Sequence, residues 1–123
     1  MASVIILDAS VIIAYLDPND IHHEEAVEEL ARASTPFIVH PLTAAEVLVG
    51  PTAKGLADQV WHTLVEIGVV VDDIPVDPHQ LARIRYVTGC KLPDCCVLAS
   101  ASSHSARIVT FDQRLARAAE KLM

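Results

Sequence analysis

The chain has 123 residues, 52% of them hydrophobic and 20% charged, which supplies the apolar mass for one compact domain and excludes both a disordered chain and a two-domain one. Nine Lys and Arg against sixteen Asp and Glu leave a formal net charge of −7, which excludes a broad basic face for gripping nucleic acid, so any such contact must be local or metal-assisted. Aromatic residues are only 4% of the chain, which points to an aliphatic core and argues against base stacking on an aromatic platform.

Met1-Ala2-Ser3-Val4 carries no basic leader, and the apolar run Val4 to Leu7 is too short for a signal or a membrane span, so a cytoplasmic protein without membrane contact is expected. Val4-Ile5-Ile6-Leu7 is a β-branched run closed by Asp8, the pattern of a strand buried on both faces. Short helices are predicted over Ser10 to Leu16, stopped by Asp17-Pro18-Asn19, and over His22 to Ala33. Pro36 to Val39 reads as a second strand and Leu42 to Val49 as a helix ending at Gly50-Pro51. Leu56 to Ile67 is helical, Gly68 ends it, and Val69-Val70-Val71 is a third strand. Helices are expected from Asp77 to Val87 and from Pro93 to about Ser103, then a strand Arg107 to Val109 and a final helix Asp112 to Leu122.

Strands alternating with helices, with no repeat or linker between them, imply an α/β fold. We expect one domain over 1–123, with a parallel sheet of about four strands covered by helices on both faces and joined by right-handed crossovers. In such sheets ligand chemistry gathers at the carboxyl ends of the strands. Four acids fall there: Asp8 ends the first strand, Glu46 lies in the helix after the second, Asp94 opens a helix, and Asp112 follows the fourth strand. Converging carboxylates repel one another unless a cation neutralises them. Mg²⁺ or Mn²⁺ held by a few carboxylates keeps positions open for a phosphate oxygen and an attacking water, which suits phosphodiester hydrolysis.

Each acid also has a purely structural reading. Asp8 could cap the helix near Ser10, Thr43-Ala44-Ala45-Glu46 and Thr110 to Gln113 match capping boxes, and Asp94 after Pro93 suits a helix N-terminus. The set of four at one predicted sheet edge favours the metal reading. Ser10 and Thr110 are candidate supports for Asp8 and Asp112, or simple caps. The histidines lack zinc-like spacing, and Cys90, Cys95 and Cys96 read as buried thiols. Arg83, Arg85, Lys91 and Lys54 could meet phosphates or simply face solvent.

The segments Ile5-Ile6-Leu7-Asp8-Ala9-Ser10 through Leu16, Thr43-Ala44-Ala45-Glu46-Val47, Leu92-Pro93-Asp94 and Ile108-Val109-Thr110-Phe111-Asp112-Gln113-Arg114-Leu115 together resemble the PIN-domain nucleases, most closely the VapC-type toxins of toxin–antitoxin modules. The resemblance spans nearly the whole chain. It implies that Asp8, Glu46, Asp94 and Asp112 bind Mg²⁺ or Mn²⁺ and hydrolyse structured RNA such as transfer or ribosomal RNA, and that the protein is a homodimer inhibited by a cognate antitoxin covering the acidic site. Many such relatives continue past the last helix into a further strand, whereas this sequence stops at Glu120-Lys121-Leu122-Met123, so four strands are expected. The competing readings are a housekeeping PIN-type RNA-processing nuclease, a non-catalytic interaction module in which the acids are only caps, and, more remotely, a phosphoacceptor receiver domain.

Overall fold

The computed structural model describes residues 4–33 and 36–122. Met1 to Ser3, read above as lacking a leader, and Met123, where the sequence stops, lie outside the described residues. In chain order the elements are β1 (Ile5–Leu7), α1 (Ala9–Leu16), α2 (His23–Arg32), β2 (Phe37–Val39), α3 (Pro41–Ala53), α4 (Ala57–Glu66), β3 (Val69–Val71), α5 (Pro78–Thr88), α6 (Leu92–His104), β4 (Arg107–Val109) and α7 (Gln113–Leu122). The fold is α/β, as the alternation predicts.

The four strands are parallel and ordered β3-β2-β1-β4. The chain therefore builds outward from β1 to β3, then crosses back to the other side of β1 for β4. The order of connection reverses between β1 and β4, and the carboxyl ends of these two strands flank the crevice that such a reversal creates.

Side chains alternate across a strand, and β1 shows the consequence: Ile5 and Leu7 enter one apolar layer and Ile6 the other. Buried residues of α1, α2, α3 and α4, such as Val11, Leu30, Val47 and Leu64, fill the first layer, while Ile84, Leu98 and Leu115 of α5, α6 and α7 fill the second. Helices thus cover both faces. The buried residues of the two layers are aliphatic apart from Phe37, which is 1% exposed in the first, and Cys90 and Cys95 in the second. No described helix is long and apolar enough to cross a membrane.

Three helices open with proline in the first turn, at Pro41, Pro78 and Pro93, where the missing N–H would have had no partner. One expected boundary is corrected. Helix α3 does not stop at Gly50-Pro51 but runs through it to Ala53. A proline disfavours helical backbone in the preceding residue largely through that residue's Cβ, and Gly50 has none. The true stop is Gly55, whose φ of 72° is readily reached only without a side chain. There Leu56 N–H donates to Pro51 O at 2.8 Å and Gly55 N–H to Thr52 O at 3.1 Å, the paired closure that satisfies the last carbonyls of a helix.

The second layer gives a direct test of this packing. Leu115 has no accessible surface, so Leu115→Ala should lower stability by about 2–5 kcal/mol, read as a fall in the urea midpoint with an unchanged slope.

Candidate active site

Asp8 is the residue immediately after β1 and the N-cap position of α1, yet its side chain makes no cap hydrogen bond. The residue is only 8% exposed, and its carboxylate is turned to another task. The Ser10 hydroxyl donates to Asp8 Oδ2 at 2.8 Å, and the Thr110 hydroxyl, from the segment after β4, donates to the same oxygen at 2.7 Å. Among the described residues no donor bonds Asp8 Oδ1, so one oxygen is fixed by two hydroxyls and the other carries none.

The two hydroxyls in turn organise the loop after β4. Phe111 N–H donates to Ser10 Oγ at 3.2 Å and Asp112 N–H to Thr110 Oγ1 at 3.0 Å. Asp8 N–H donates to Val109 O at 3.2 Å, tying the ends of β1 and β4 together. Both Ser10 and Thr110 therefore serve the Asp8 carboxylate. Thr110 does not open a capping box. Asp112 itself caps α7, its Oδ1 accepting from Arg114 N–H at 2.9 Å and Leu115 N–H at 3.3 Å. This structural duty occupies one oxygen of an exposed carboxylate.

The capping box expected at Thr43 to Glu46 is also absent. Helix α3 starts earlier, and its cap is His40, whose ring Nδ1 accepts from Leu42 N–H at 3.0 Å. Thr43 is inside the helix and its buried hydroxyl has no partner. Glu46 is then free of backbone duty and stands one turn along α3, which packs against α6. Asp94, in the first turn of α6, makes no cap bond either.

Electrostatics shows how closely these groups stand. Although the Glu46 side chain is largely exposed, partial burial of its carboxyl, and then the charges of Asp8 and Asp94, push its pKa above the ordinary value. Burial, followed by the charges of Asp8 and Asp112, does the same to Asp94, with Arg114 and Lys91 opposing in part. The four acids thus share one field at the carboxyl end of β1 and β4.

Among the described residues, no three carboxylate, imidazole or thiol groups converge closely enough to enclose an ion unaided. The donor set still fits a hard cation. Mg²⁺ keeps several waters and takes one or two carboxylates rather than a closed protein cage, and the mutual repulsion felt by Glu46 and Asp94 is what such a charge would relieve.

The PIN domain family profile matches residues 5–121. The chain belongs to the PIN-domain family. Its fold is similar to three solved structures: Mycobacterium tuberculosis VapC20, described as a sarcin–ricin loop cleaving toxin (14% identity, 93% of this chain and 94% of that one, TM-score 0.73); FitAcB from Neisseria gonorrhoeae (23%, 94% and 93%, 0.74); and PAE2754 from Pyrobaculum aerophilum (18%, 99% and 93%, 0.67). No curated protein matches in sequence.

Elsewhere this PIN domain holds groups that its sequence did not single out. Asp72, just past β3 and 8% exposed, accepts from the Ser100 hydroxyl at 2.7 Å and from Ile74 N–H at 3.0 Å, and its Oδ1 lies 3.1 Å from His104 Nε2. Burial alone would raise its pKa, but these bonds and the His104 charge together hold the carboxyl below the ordinary value. Helix α6 is thereby pinned to the end of β3 by two side chains. Burial lowers the pKa of nearby His40, with the Asp72 charge opposing. Cys90, Cys95 and Cys96 are free and buried, as expected. Burial raises the Cys95 and Cys96 thiols, Cys90 adding to the first and Glu46 to the second.

Of the cations singled out, Arg85 donates to Cys90 O at 2.7 Å and so braces the turn into α6. Lys54 caps the end of α3, Arg83 is exposed, and Lys91 faces Asp94. Arg114 was missed because its value lies in standing beside Asp94, far from it in sequence.

A carboxyl whose folded pKa is depressed stabilises the fold above its unfolded value, and that contribution is lost as pH falls through the folded one. Asp72→Asn should therefore cost about 1–3 kcal/mol at neutral pH. Parent and variant should converge in melting temperature as the pH is taken below the ordinary carboxylate range.

Proposed function

We propose that this PIN domain is a Mg²⁺-dependent endoribonuclease, the toxin of a toxin–antitoxin module, that hydrolyses phosphodiester bonds in structured RNA such as transfer or ribosomal RNA. The observation that carries the reading is the braced carboxylate of Asp8. Two hydroxyls, one of them from a residue 102 positions away, fix one oxygen, while Glu46 and Asp94 crowd the same field, their charges only partly offset by Arg114 and Lys91 beside Asp94. Asp8, Glu46, Asp94 and Asp112 are the residues that would hold Mg²⁺, or Mn²⁺, and Ser10 and Thr110 would keep the first of them in place. The similarity to a structure described as an RNA-loop-cleaving toxin points to the substrate class, and its family setting points to an antitoxin partner, a homodimer and a cytoplasmic location.

When bound, the ion supplies Lewis-acid polarisation of the phosphate and lowers the pKa of water. The chain's own part is positional. Ser10 and Thr110 hold the Asp8 carboxylate in one orientation through Oδ2. Glu46 and Asp94, whose pKa values are raised by burial first and by the neighbouring carboxylates second, are the groups placed to exchange a proton with an attacking water. Asp112 keeps one oxygen on the α7 backbone, which fixes the other relative to Asp8. Lys91 and Arg114, beside Asp94, offer local positive charge to a phosphate that the rest of this acidic chain repels.

Two measurements test this. A ligand that binds only the folded state raises its stability, by about 2.7 kcal/mol at a hundredfold excess over Kd, so titration with Mg²⁺ or Mn²⁺ should raise the melting temperature of the parent. Asp94→Asn should melt higher than the parent in chelator, because a repelled charge is gone, and should lose the response to divalent ion. A parent indifferent to Mg²⁺ and Mn²⁺ at millimolar levels argues for a binding module. In cleavage assays on transfer and ribosomal RNA, Asp8→Asn should lose at least about 100-fold in rate, and Thr110→Val, which keeps the shape but removes the donor, about 10–100-fold. Unchanged rates in both would rule out the assigned site.

A further inference from the structure

The ring of His22 is stacked on that of Phe111, with centroids 4.7 Å apart and planes 21° from parallel. Phe111 lies between Thr110 and Asp112, and its N–H donates to Ser10 Oγ. The underside of the stack is therefore built into the acidic site. Below, Phe111 packs against the first apolar layer. At its edge, His22 Nδ1 is 3.5 Å from Glu25 Oε1, and its backbone N–H donates to Asp20 Oδ1 at 2.8 Å. The imidazole is thus held from beneath and from one side, yet its side chain is 43% exposed. With one face on Phe111, that exposure belongs to the opposite face and the free edge. Next to it Ile21 is 91% exposed.

We propose that the outer face of His22, backed by Phe111, is a stacking subsite for an unpaired nucleobase of the strand whose phosphate enters the acidic site. The proposal rests on the RNA-cleaving reading above. Phosphate contacts need cations to neutralise them, and an acidic cluster within a chain of net charge −7 has few to offer. Stacking is the contribution that carries no such requirement, and every base offers a π-face for it. A ring already fixed on a second ring loses little freedom when a third is added. Ile21 extends the surface with apolar contact for the base edge or ribose. The low aromatic content excludes a broad platform, but histidine is not counted in it, and one His on one Phe is enough for a single base.

Binding is measured with the full chain carrying Asp94→Asn, so that RNA stays intact, using oligoadenylate and an abasic oligomer of the same length as probes. His22→Ala should weaken oligoadenylate binding about ten-fold at both low and high salt, leave abasic binding unchanged, and melt at the parent temperature. His22→Phe, which keeps a ring without the imidazole nitrogens, should retain oligoadenylate affinity. Equal affinity of His22→Ala and parent, or an equal loss on the abasic oligomer, overturns the subsite. A parent that binds no oligoadenylate overturns it too, and leaves the nuclease reading to be judged by the divalent-ion melting shift.

Discussion

The hydrogen bond from Thr110 to Asp8 closes the two ends of the chain on each other, and the site depends on it. Carboxylates at Asp8, Glu46, Asp94 and Asp112 repel, so nothing in their own chemistry would assemble them. They are assembled by strand pairing: β1 and β4 lie side by side because their apolar residues fill two layers at once, and the residues that follow the strands are carried to one crevice. The side-chain bonds of Ser10 and Thr110 then convert a rough juxtaposition into a fixed one. The order of causes runs from core burial to backbone register to carboxylate placement, and the repulsion that remains is what makes the crevice ready for a cation.

Helix α6 shows how one element serves both ends of this arrangement. From Cys95 to Ala101 every residue is buried, so its position admits little play. Asp94 at its start and the Ser100–His104 pair near its end meet acids in opposite circumstances. Burial and the charges of Asp8 and Asp112 raise the Asp94 pKa, with Arg114 and Lys91 opposing in part, whereas donors around Asp72 hold its carboxyl below the ordinary value. Two aspartates on one helix's flanks thereby divide into a crowded carboxyl and an anchored one. Loss of the anchor would be felt at Asp94 through the rigid helix between them.

Much of this was legible in the residues. The strands and helices have local signatures: short runs rich in Val and Ile, helical spacing of small apolar residues, prolines in first turns, Gly68 and Gly89 at helix ends. The convergence of Asp8, Glu46, Asp94 and Asp112 followed from the general placement of chemistry in parallel sheets. What stayed hidden depends on contacts between distant segments. No local rule reveals that His40 caps α3 through its ring, that Asp72 joins Ser100 and His104, or that His22 lies on Phe111. Glu46 and Asp112 were ambiguous for a different reason, since a carboxylate near a helix start suits both capping and chemistry. Their environments divide them: Glu46 makes no cap, and Asp112 makes one with a single oxygen.

The separation of 102 residues between Asp8 and Thr110 also has a meaning in time. During synthesis the amino-terminal half emerges first, with its helices and the first apolar layer, while the strand that must lie beside β1 is still unmade. A nascent or prematurely ended chain therefore holds Asp8 without its brace, without Asp112 and without the second layer that seats Asp94. The carboxylate cluster is complete only once the segment after β4 has been made and laid beside β1.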